Sequence, residues 1–207
     1  LGDAAGTAKA LDQLLKYYPS TDTWERVLDG YLKTTKHDHA LMALYRLAED
    51  VGALQDARQY TDMTQALIIA GFGQEAERVM QKGIDASLFA GDEATRAKRT
   101  IDAAKRKADA ERAALPKAAN ALAAAKTGDE MEKVGELYFS AGDYVNASAA
   151  LQKAIAKGGL SDADSAQMLL GIALKRKGDK ANATKAFDLV KEPQFAEIAK
   201  LWKIAAR

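Results

Sequence analysis

The side chains best suited to chemistry in this chain are two neighbouring histidines. His37 and His39 are its only imidazoles, and such a pair can begin a zinc site, although zinc in proteins normally has three or four protein ligands. Asp38 and Asp50 offer further ligands by residue type alone. His37 falls at the start of a predicted helix, where packing or capping is the ordinary role. We therefore predict no metal site and no other cofactor.

Nucleophilic and nucleotide chemistry lack the residues they need. The chain has no cysteine, which excludes disulfides, thiolate metal sites and cysteine nucleophiles. No serine stands in a Gly-x-Ser-x-Gly turn, and two adjacent histidines do not indicate a Ser-His-Asp triad. The triplet from Gly71 to Gly73 looks like part of a nucleotide-binding loop, but that loop follows a strand and has a third glycine. We predict a turn between two helices there, and we predict that the protein is not an enzyme.

Charged residues form two patterns on predicted helices. Glu132 and Glu136 are four residues apart and share one helix face; a solvated acidic face is the ordinary interpretation, and a ligand-facing patch is the alternative. The most basic segment sets six cations against the single acid Asp102: Arg96, Lys98, Arg99, Lys105, Arg106 and Lys107. Nucleic-acid sites interleave basic and aromatic residues, and residues 90–137 contain no aromatic side chain. We predict a solvated face here, with contact to a protein or an anionic surface as the alternative, and no nucleic-acid partner.

The composition favours helices and limits the classes of partner. The chain has 207 residues, of which 48% are hydrophobic and 29% are charged, with a net charge of +1 and only three prolines. Alanine is abundant, and it loses no side-chain entropy in a helix. The small net charge gives no global attraction to nucleic acid or anionic lipid. No apolar run approaches the roughly 20 residues that cross a bilayer, so we predict no membrane span.

An internal repeat runs through most of the chain. An alanine followed four positions later by a large apolar residue recurs at 40 and 76 and again at 147 and 183, a spacing of 36 within each pair. Glycines at 71, 142 and 178 keep the same register, five residues before the alanine. The pattern predicts no strands, and it predicts paired helices at 22–35, 37–50, 55–70, 73–87, 129–141, 144–157, 162–177 and 180–191.

Capping signals mark several helix ends. Three pairs have capping-box spacing: Asp22 with Glu25, Thr127 with Glu130, and Ser161 with Asp164. Gly142 is expected to take positive φ after a helix, and Asp143 is expected to cap the next helix. Gly135 and Ala147 are small enough to let two helices approach closely. We therefore assign these residues structural roles.

These positions resemble the tetratricopeptide repeat, a helix-turn-helix unit of about 34 residues. The clearest copy contains Gly135, Tyr138, Gly142, Ala147, Leu151 and Ala154. The resemblance implies an all-α, right-handed α-α superhelix, or solenoid, of about five helix pairs with a C-terminal capping helix. Its expected divisions are a half repeat at 1–19, repeats at 20–53 and 54–91, a degenerate repeat or insertion at 92–127, repeats at 128–160 and 161–192, and the capping helix at 193–207.

The order of the segments also resembles a group of exported bacterial tetratricopeptide-repeat proteins. The likeness lies in residues 17–24, 71–76 and 155–160, which contain YYP followed by W, GFGQEA and IAKGGL. It implies that the chain is the C-terminal half of a longer protein with an exported, periplasmic location. It implies no biochemical activity.

In this repeat family the first helix of each pair lines the concave face of the superhelix. The resemblance places twelve residues there: Glu25, Asp29, Lys33, Thr61, Gln65, Ile68, Glu132, Glu136, Phe139, Leu169, Ile172 and Arg176. Acidic, polar and apolar side chains are mixed among them, which suits a peptide or protein segment. The leading hypothesis is a non-enzymatic scaffold that binds a protein or peptide. A structural or self-association module is the alternative, and an empty concave face is also left open.

Overall fold

Helices make up the regular structure of residues 13–206, the part of the chain described by a computed structural model. A helical stretch at 13–17 is α1, and the later helices are α2 (Thr21–Thr34), α3 (Asp38–Asp50), α4 (Ala57–Ala70), α5 (Gly73–Asp85), α6 (Asp92–Ala114), α7 (Ala118–Ala124), α8 (Gly128–Ser140), α9 (Tyr144–Lys157), α10 (Ala163–Arg176), α11 (Lys180–Asp188) and α12 (Pro193–Ala205). The all-α class is therefore confirmed. Most of the half repeat predicted at 1–19 lies outside the described residues. Within them, no helix is long and apolar enough to cross a bilayer.

Successive helices pack as hairpins, and small residues at the crossings allow close approach. A Cβ atom on Gly135 of α8 would lie 2.8 Å from Cγ of Leu151 in α9. A Cβ atom on Gly171 of α10 would meet the ring of Phe187 in α11. Any side chain at these glycines would separate the paired helices, because the interface is already close-packed. Ala147 is fully buried, so its predicted packing role is confirmed.

The turn between α8 and α9 has the predicted geometry. Gly142 has a φ of +80°, and the side chain of Asp143 accepts a hydrogen bond from the N–H of Asn146 at 3.0 Å. The capping box between Thr127 and Glu130 is present at the start of α8. The turn predicted at 71–73 is also confirmed between α4 and α5, although Gly73 already begins α5.

The other two predicted capping boxes are wrong. Helix α2 begins one residue earlier than expected, and Ser20 caps it by accepting a bond from the N–H of Thr23 at 3.3 Å. Helix α10 is capped by Asp162. Ser161 does not cap a helix, because its hydroxyl donates instead to Asp129 at 2.7 Å. A tertiary contact with the preceding hairpin thus takes the place of the expected local one.

The charged, alanine-rich segment forms the long helix α6, which lies along α5 and also contacts α4. Its buried face consists of Ala97, Ile101, Ala104 and Ala108. A Cβ atom on Gly73, at the start of α5, would lie 2.5 Å from the backbone nitrogen of Ala108. The alanines therefore let α5 and α6 pack closely, while the cations of α6 stay exposed.

The C-terminal helices fold back onto α3, which is distant in the sequence. Both α10 and α12 contact α3. Nε1 of Trp202 donates to the carbonyl of Ala43 at 3.1 Å, and Lys175 pairs with Asp50. In a simple solenoid each unit contacts only its neighbours. The hairpins of this chain therefore have long-range contacts that neighbour stacking alone does not provide.

Candidate functional site

The twelve residues predicted for the concave face occupy three separate places, and the first is the surface of α2. Glu25 is half-buried there, whereas Asp29 and Lys33 are exposed. Lys33 donates to Asp29 at 2.6 Å. Such an exposed pair contributes little to stability. This group forms a small charged patch on the surface.

The second group lies on α8 and α10, and most of it contacts α3. Phe139, Leu169 and Ile172 are buried. Glu136, Leu169 and Ile172 meet Arg46 of α3 around a cavity of about 10 Å³, which is at most the size of one water molecule. The helix faces that the sequence assigned to a partner therefore contact α3 of the same chain.

Arg46 projects from α3 into the middle of this contact. Its guanidinium carbon lies 4.4 Å from the ring centre of Phe72 and 4.7 Å from that of Phe139. Its nitrogens donate to the carboxylate of Glu75 at 2.7 and 3.1 Å. Arg46 and Glu75 are both buried. The guanidinium of Arg46 therefore binds the carboxylate of Glu75 through two of its nitrogens, and it also contacts two aromatic rings.

Arg176 of α10 extends the network. It donates to Glu75 at 3.2 Å, to the hydroxyl of Tyr144 at 3.1 Å and to Glu49 at 3.1 Å. Burial alone would raise the pKa of Glu75, but the charges of Arg46 and Arg176 outweigh burial and lower that pKa. Glu75 is therefore a carboxylate held between two guanidinium groups.

A further carboxylate, Glu111 of α6, holds the start of α5. It accepts bonds from the backbone N–H groups of Gly73 at 2.6 Å and Gln74 at 2.9 Å, at the helix end that favours negative charge. Ser140 donates to Glu111 at 2.7 Å and accepts a bond from the N–H of Glu75 at 3.3 Å. One connected set of hydrogen bonds thus joins α5, α6 and α8.

An open cavity of about 360 Å³ adjoins the network. Its lining carries both signs of charge: Glu49, Asp50, Glu75, Arg78, Lys82 and Arg176. Each of its three acids has a basic partner, since Glu49 pairs with Lys82 and Arg176, Asp50 with Lys175, and Glu75 with Arg46 and Arg176. A basic ligand would have to displace these internal pairs to reach the acids. We therefore assign the network a structural role.

The two histidines lie near Asp162 at the start of α10. Asp162 is 3.2 Å from Nδ1 of His39 and 3.9 Å from Nε2 of His37. The ring of His37 packs edge-on against Phe195 with the centroids 5.1 Å apart, so the packing role predicted for it is confirmed. Across residues 13–206, no group of three or more His, Cys, Asp or Glu side chains is arranged to hold a metal ion.

Two glutamates of α8 lie in surroundings that disfavour their charged form. Burial, followed by the charges of Glu136, Asp129 and Asp162, raises the pKa of Glu132 to about 7. Burial also raises the pKa of Glu136, against the opposing effect of nearby basic residues. Both side chains are half-buried. The prediction of a solvated acidic face is therefore wrong for these two side chains.

We expect Glu132→Gln to change how stability depends on pH. The folded protein raises the pKa of Glu132 from 4.5 to about 7, so the folded state binds this proton more tightly than the unfolded state does. The free energy of unfolding of the wild type therefore falls as the pH rises between these two values. Glutamine does not ionise and so removes this loss. Above about pH 7 the free energy of unfolding of the variant should therefore be higher than that of the wild type by about 1 kcal/mol, after allowance for solvent screening of a half-buried group.

Urea unfolding at about pH 5 and about pH 8 measures this effect. The control is Glu197→Gln, because Glu197 is an exposed acid of α12 that pairs with Lys200. The prediction would be contradicted if the free energies of unfolding of Glu132→Gln and the wild type differed by the same amount at both pH values.

The third group of predicted residues lies along a groove that is open to solvent. We call it the α4 groove, and it consists of three adjoining cavities of about 580, 330 and 260 Å³. Gln65 and Ile69 line both of the first two, and Asp62 lines the first and the third. Thr61, Gln65 and Ile68 all border the groove. These three predicted contact residues therefore lie at an open surface, as Asp29 and Lys33 do on α2.

The α4 groove has an apolar floor between two mixed walls. Helix α3 contributes Leu41 and Tyr45, and α6 contributes Arg99 and Thr100. Ile69 lies between them and is 85% exposed, more than any other large apolar residue of the described chain. Leu41, Tyr45 and Ile69 line one cavity together, and an apolar patch rimmed by polar groups is typical of a contact surface for another molecule.

Sequence reasoning missed Ile69 of the groove and Arg46 of the ionic network. Ile69 follows Ile68 in one helix, and adjacent helical positions point in directions about 100° apart. The doublet was thus a sign that one isoleucine would be exposed. Arg46 stands in an otherwise apolar run from Ala43 to Ala48. A lone charge in such a run was a sign of a buried ionic partner.

The fold and the site define an all-α protein of helical hairpins, with a paired ionic network at its centre and an open groove along α4. Comparison with models of protein families gave no match, and neither did comparison with curated proteins. The functional assignment therefore depends on the geometry and chemistry of the groove.

Proposed function

We propose that the protein is a non-enzymatic interaction module that binds a peptide or a protein segment in the α4 groove. The observation that carries this proposal is the exposure of Ile69 on the floor of a groove that the described residues leave open. By contrast, most of the predicted contact residues on α8 and α10 pack against α3. The proposal therefore keeps Thr61, Gln65 and Ile68 as partner contacts.

The shape and the chemistry of the groove support a chain-like ligand. Its cavities border α4 from residue 57 to residue 70, a helix of 14 residues that is about 21 Å long. A bound peptide segment needs an apolar anchor and partners for its backbone N–H and C=O groups. Ile69 and Tyr45 offer apolar contacts, and Gln65, Asp62 and Thr100 carry polar atoms along the same surface.

The setting of this module follows from the sequence resemblance. Helical hairpins with glycine at the packing positions support a tetratricopeptide-type array, and we propose that contacts of α10 and α12 with α3 close its superhelix. An exported, periplasmic location is part of the same proposal. Its support is the likeness of residues 17–24, 71–76 and 155–160 to exported bacterial repeat proteins.

Ile69→Lys is expected to weaken peptide binding strongly without unfolding the protein. Because the side chain is exposed, the free energy of unfolding should change by no more than about 0.5 kcal/mol. A cation on the floor replaces the apolar anchor, so affinity should fall at least about tenfold. Random peptides displayed on phage are selected against the wild type, and biolayer interferometry compares the affinity of the recovered peptides for both proteins.

Val145→Lys is the matched control, because Val145 is 66% exposed on α9 and lies outside the groove. Peptides that bind the wild type and Ile69→Lys equally well would contradict the site. Recovery of no peptide above background would contradict the function. Dimers of the wild type that Ile69→Lys dissociates would favour the self-association alternative.

A further inference from the structure

The basic segment of α6 forms one wall of the α4 groove. Arg96 lines the cavity of about 260 Å³ together with Phe89, and Arg99 lines the cavity of about 330 Å³ together with Ile68 and Ile69. Ile69 and Arg99 are 30 positions apart in the sequence. Packing of α6 against α4 thus brings the basic segment next to Ile69, although the two are far apart in the sequence.

The cations of this segment have no acidic partner. All are exposed, and among the described residues none of the six forms an ion pair: Arg96, Lys98, Arg99, Lys105, Arg106 and Lys107. By contrast, Arg112 of the same helix pairs with Glu77 and Asp109, both at 2.8 Å. The wall therefore carries positive charge that none of residues 13–206 neutralises through an ion pair.

Helical periodicity places part of this charge at one cavity of the groove. Arg99, Ala103 and Arg106 follow one another at spacings of four and three residues, so they share one face of α6. Arg99 and Ala103 line the cavity of about 330 Å³, whose lining among the described residues contains no acid. The acids of the groove line the other two cavities: Asp38, Asp62 and Glu93. The surplus of positive charge therefore lies beside Ile68 and Ile69.

We propose that the segment bound in the α4 groove is acidic and amphipathic. Its apolar side chains contact Ile68 and Ile69, and its carboxylates bind Arg99 and Arg106. Guanidinium groups pair with carboxylates through parallel N–H donors, and a cluster of one sign of charge selects an oppositely charged partner during encounter. This inference rests on the proposed function, since it names the chemistry of the partner of the same groove.

Charge reversal of the wall tests the inference, with the display-selected peptides as probes. Peptides whose binding is lost with Ile69→Lys should be enriched in Asp and Glu about twofold over the starting library. They should bind the variant Arg99→Glu/Arg106→Glu about tenfold more weakly than the wild type, and added salt should weaken their binding to the wild type. The control Lys153→Glu/Lys157→Glu makes the same charge change at exposed positions of α9, and affinity should stay within about twofold.

The outcomes separate this inference from the proposed function. Groove peptides that lack acidic enrichment, or that bind the charge-reversed variant as well as the wild type, would overturn the acidic partner and leave the groove function standing. Absence of any peptide sensitive to Ile69→Lys would overturn both. Binding to phosphatidylglycerol vesicles that charge reversal abolishes and Ile69→Lys leaves intact would assign the wall to an anionic surface, and it would overturn the inference as well.

Discussion

Glu75→Gln is expected to lower the free energy of unfolding by about 3–5 kcal/mol. The side chain is buried, and its oxygens lie 2.7 Å from Arg46 and 3.2 Å from Arg176. Glutamine has nearly the same volume but no charge, so both guanidinium groups stay buried, with Glu49 as the acid that still contacts Arg176. An uncompensated buried charge costs several kcal/mol, which is a large share of the stability of an ordinary domain.

Urea unfolding followed by circular dichroism measures this loss. The matched control is Glu77→Gln in the same helix, because Glu77 pairs with Arg112 at the surface and its loss should cost no more than about 1 kcal/mol. A second comparison is Arg46→Met/Glu75→Leu, which removes the buried pair and leaves Arg176 with Glu49. This variant should be more stable than Glu75→Gln alone. Equal unfolding midpoints for Glu75→Gln and wild type would contradict the role assigned to the network.

The hairpins of this fold were predictable because their signals are local. A glycine with positive φ, an acid that caps the next helix and a small residue at the helix crossing follow one another within a few positions, as Gly142, Asp143 and Ala147 do. Each acts through its own backbone geometry or through contact with the adjacent helix. The predicted C-terminal ends of α2, α4 and α8 therefore differ from the observed ones by no more than one residue.

The contacts at the centre were not predictable, because they join residues that are far apart in the chain. Arg176 and Glu49 are separated by 127 positions, and Trp202 and Ala43 by 159. A repeat pattern describes how a unit packs on its neighbours. It does not tell whether accumulated curvature brings α10 and α12 back to α3. Twelve residues were therefore assigned to one open concave face, although α3 contacts most of the part on α8 and α10 and the part on α4 stays accessible.

Trp202→Ala is expected to give a loss of similar size, about 3–5 kcal/mol. Trp202 is fully buried, its ring stacks on Phe187 with the centroids 5.9 Å apart, and Nε1 donates to the carbonyl of Ala43 at 3.1 Å. Truncation leaves a cavity where α11, α12 and α3 meet, together with a carbonyl that has lost this donor. Trp202→Phe keeps an aromatic ring and loses the hydrogen bond, so it should cost about 1–2 kcal/mol.

The same variant tests whether this contact closes the chain. If Trp202 holds α12 against α3, its truncation weakens those two helices more than the rest, because the contact between them has no substitute elsewhere in the sequence. Hydrogen exchange under native conditions reports such local openings. We expect the largest rise in amide exchange in α3 and α12, and a smaller rise in α5 and α6, which pack on each other. A uniform rise in all helices would mean that Trp202 stabilises the core in general, and closure of the array would then need another cause.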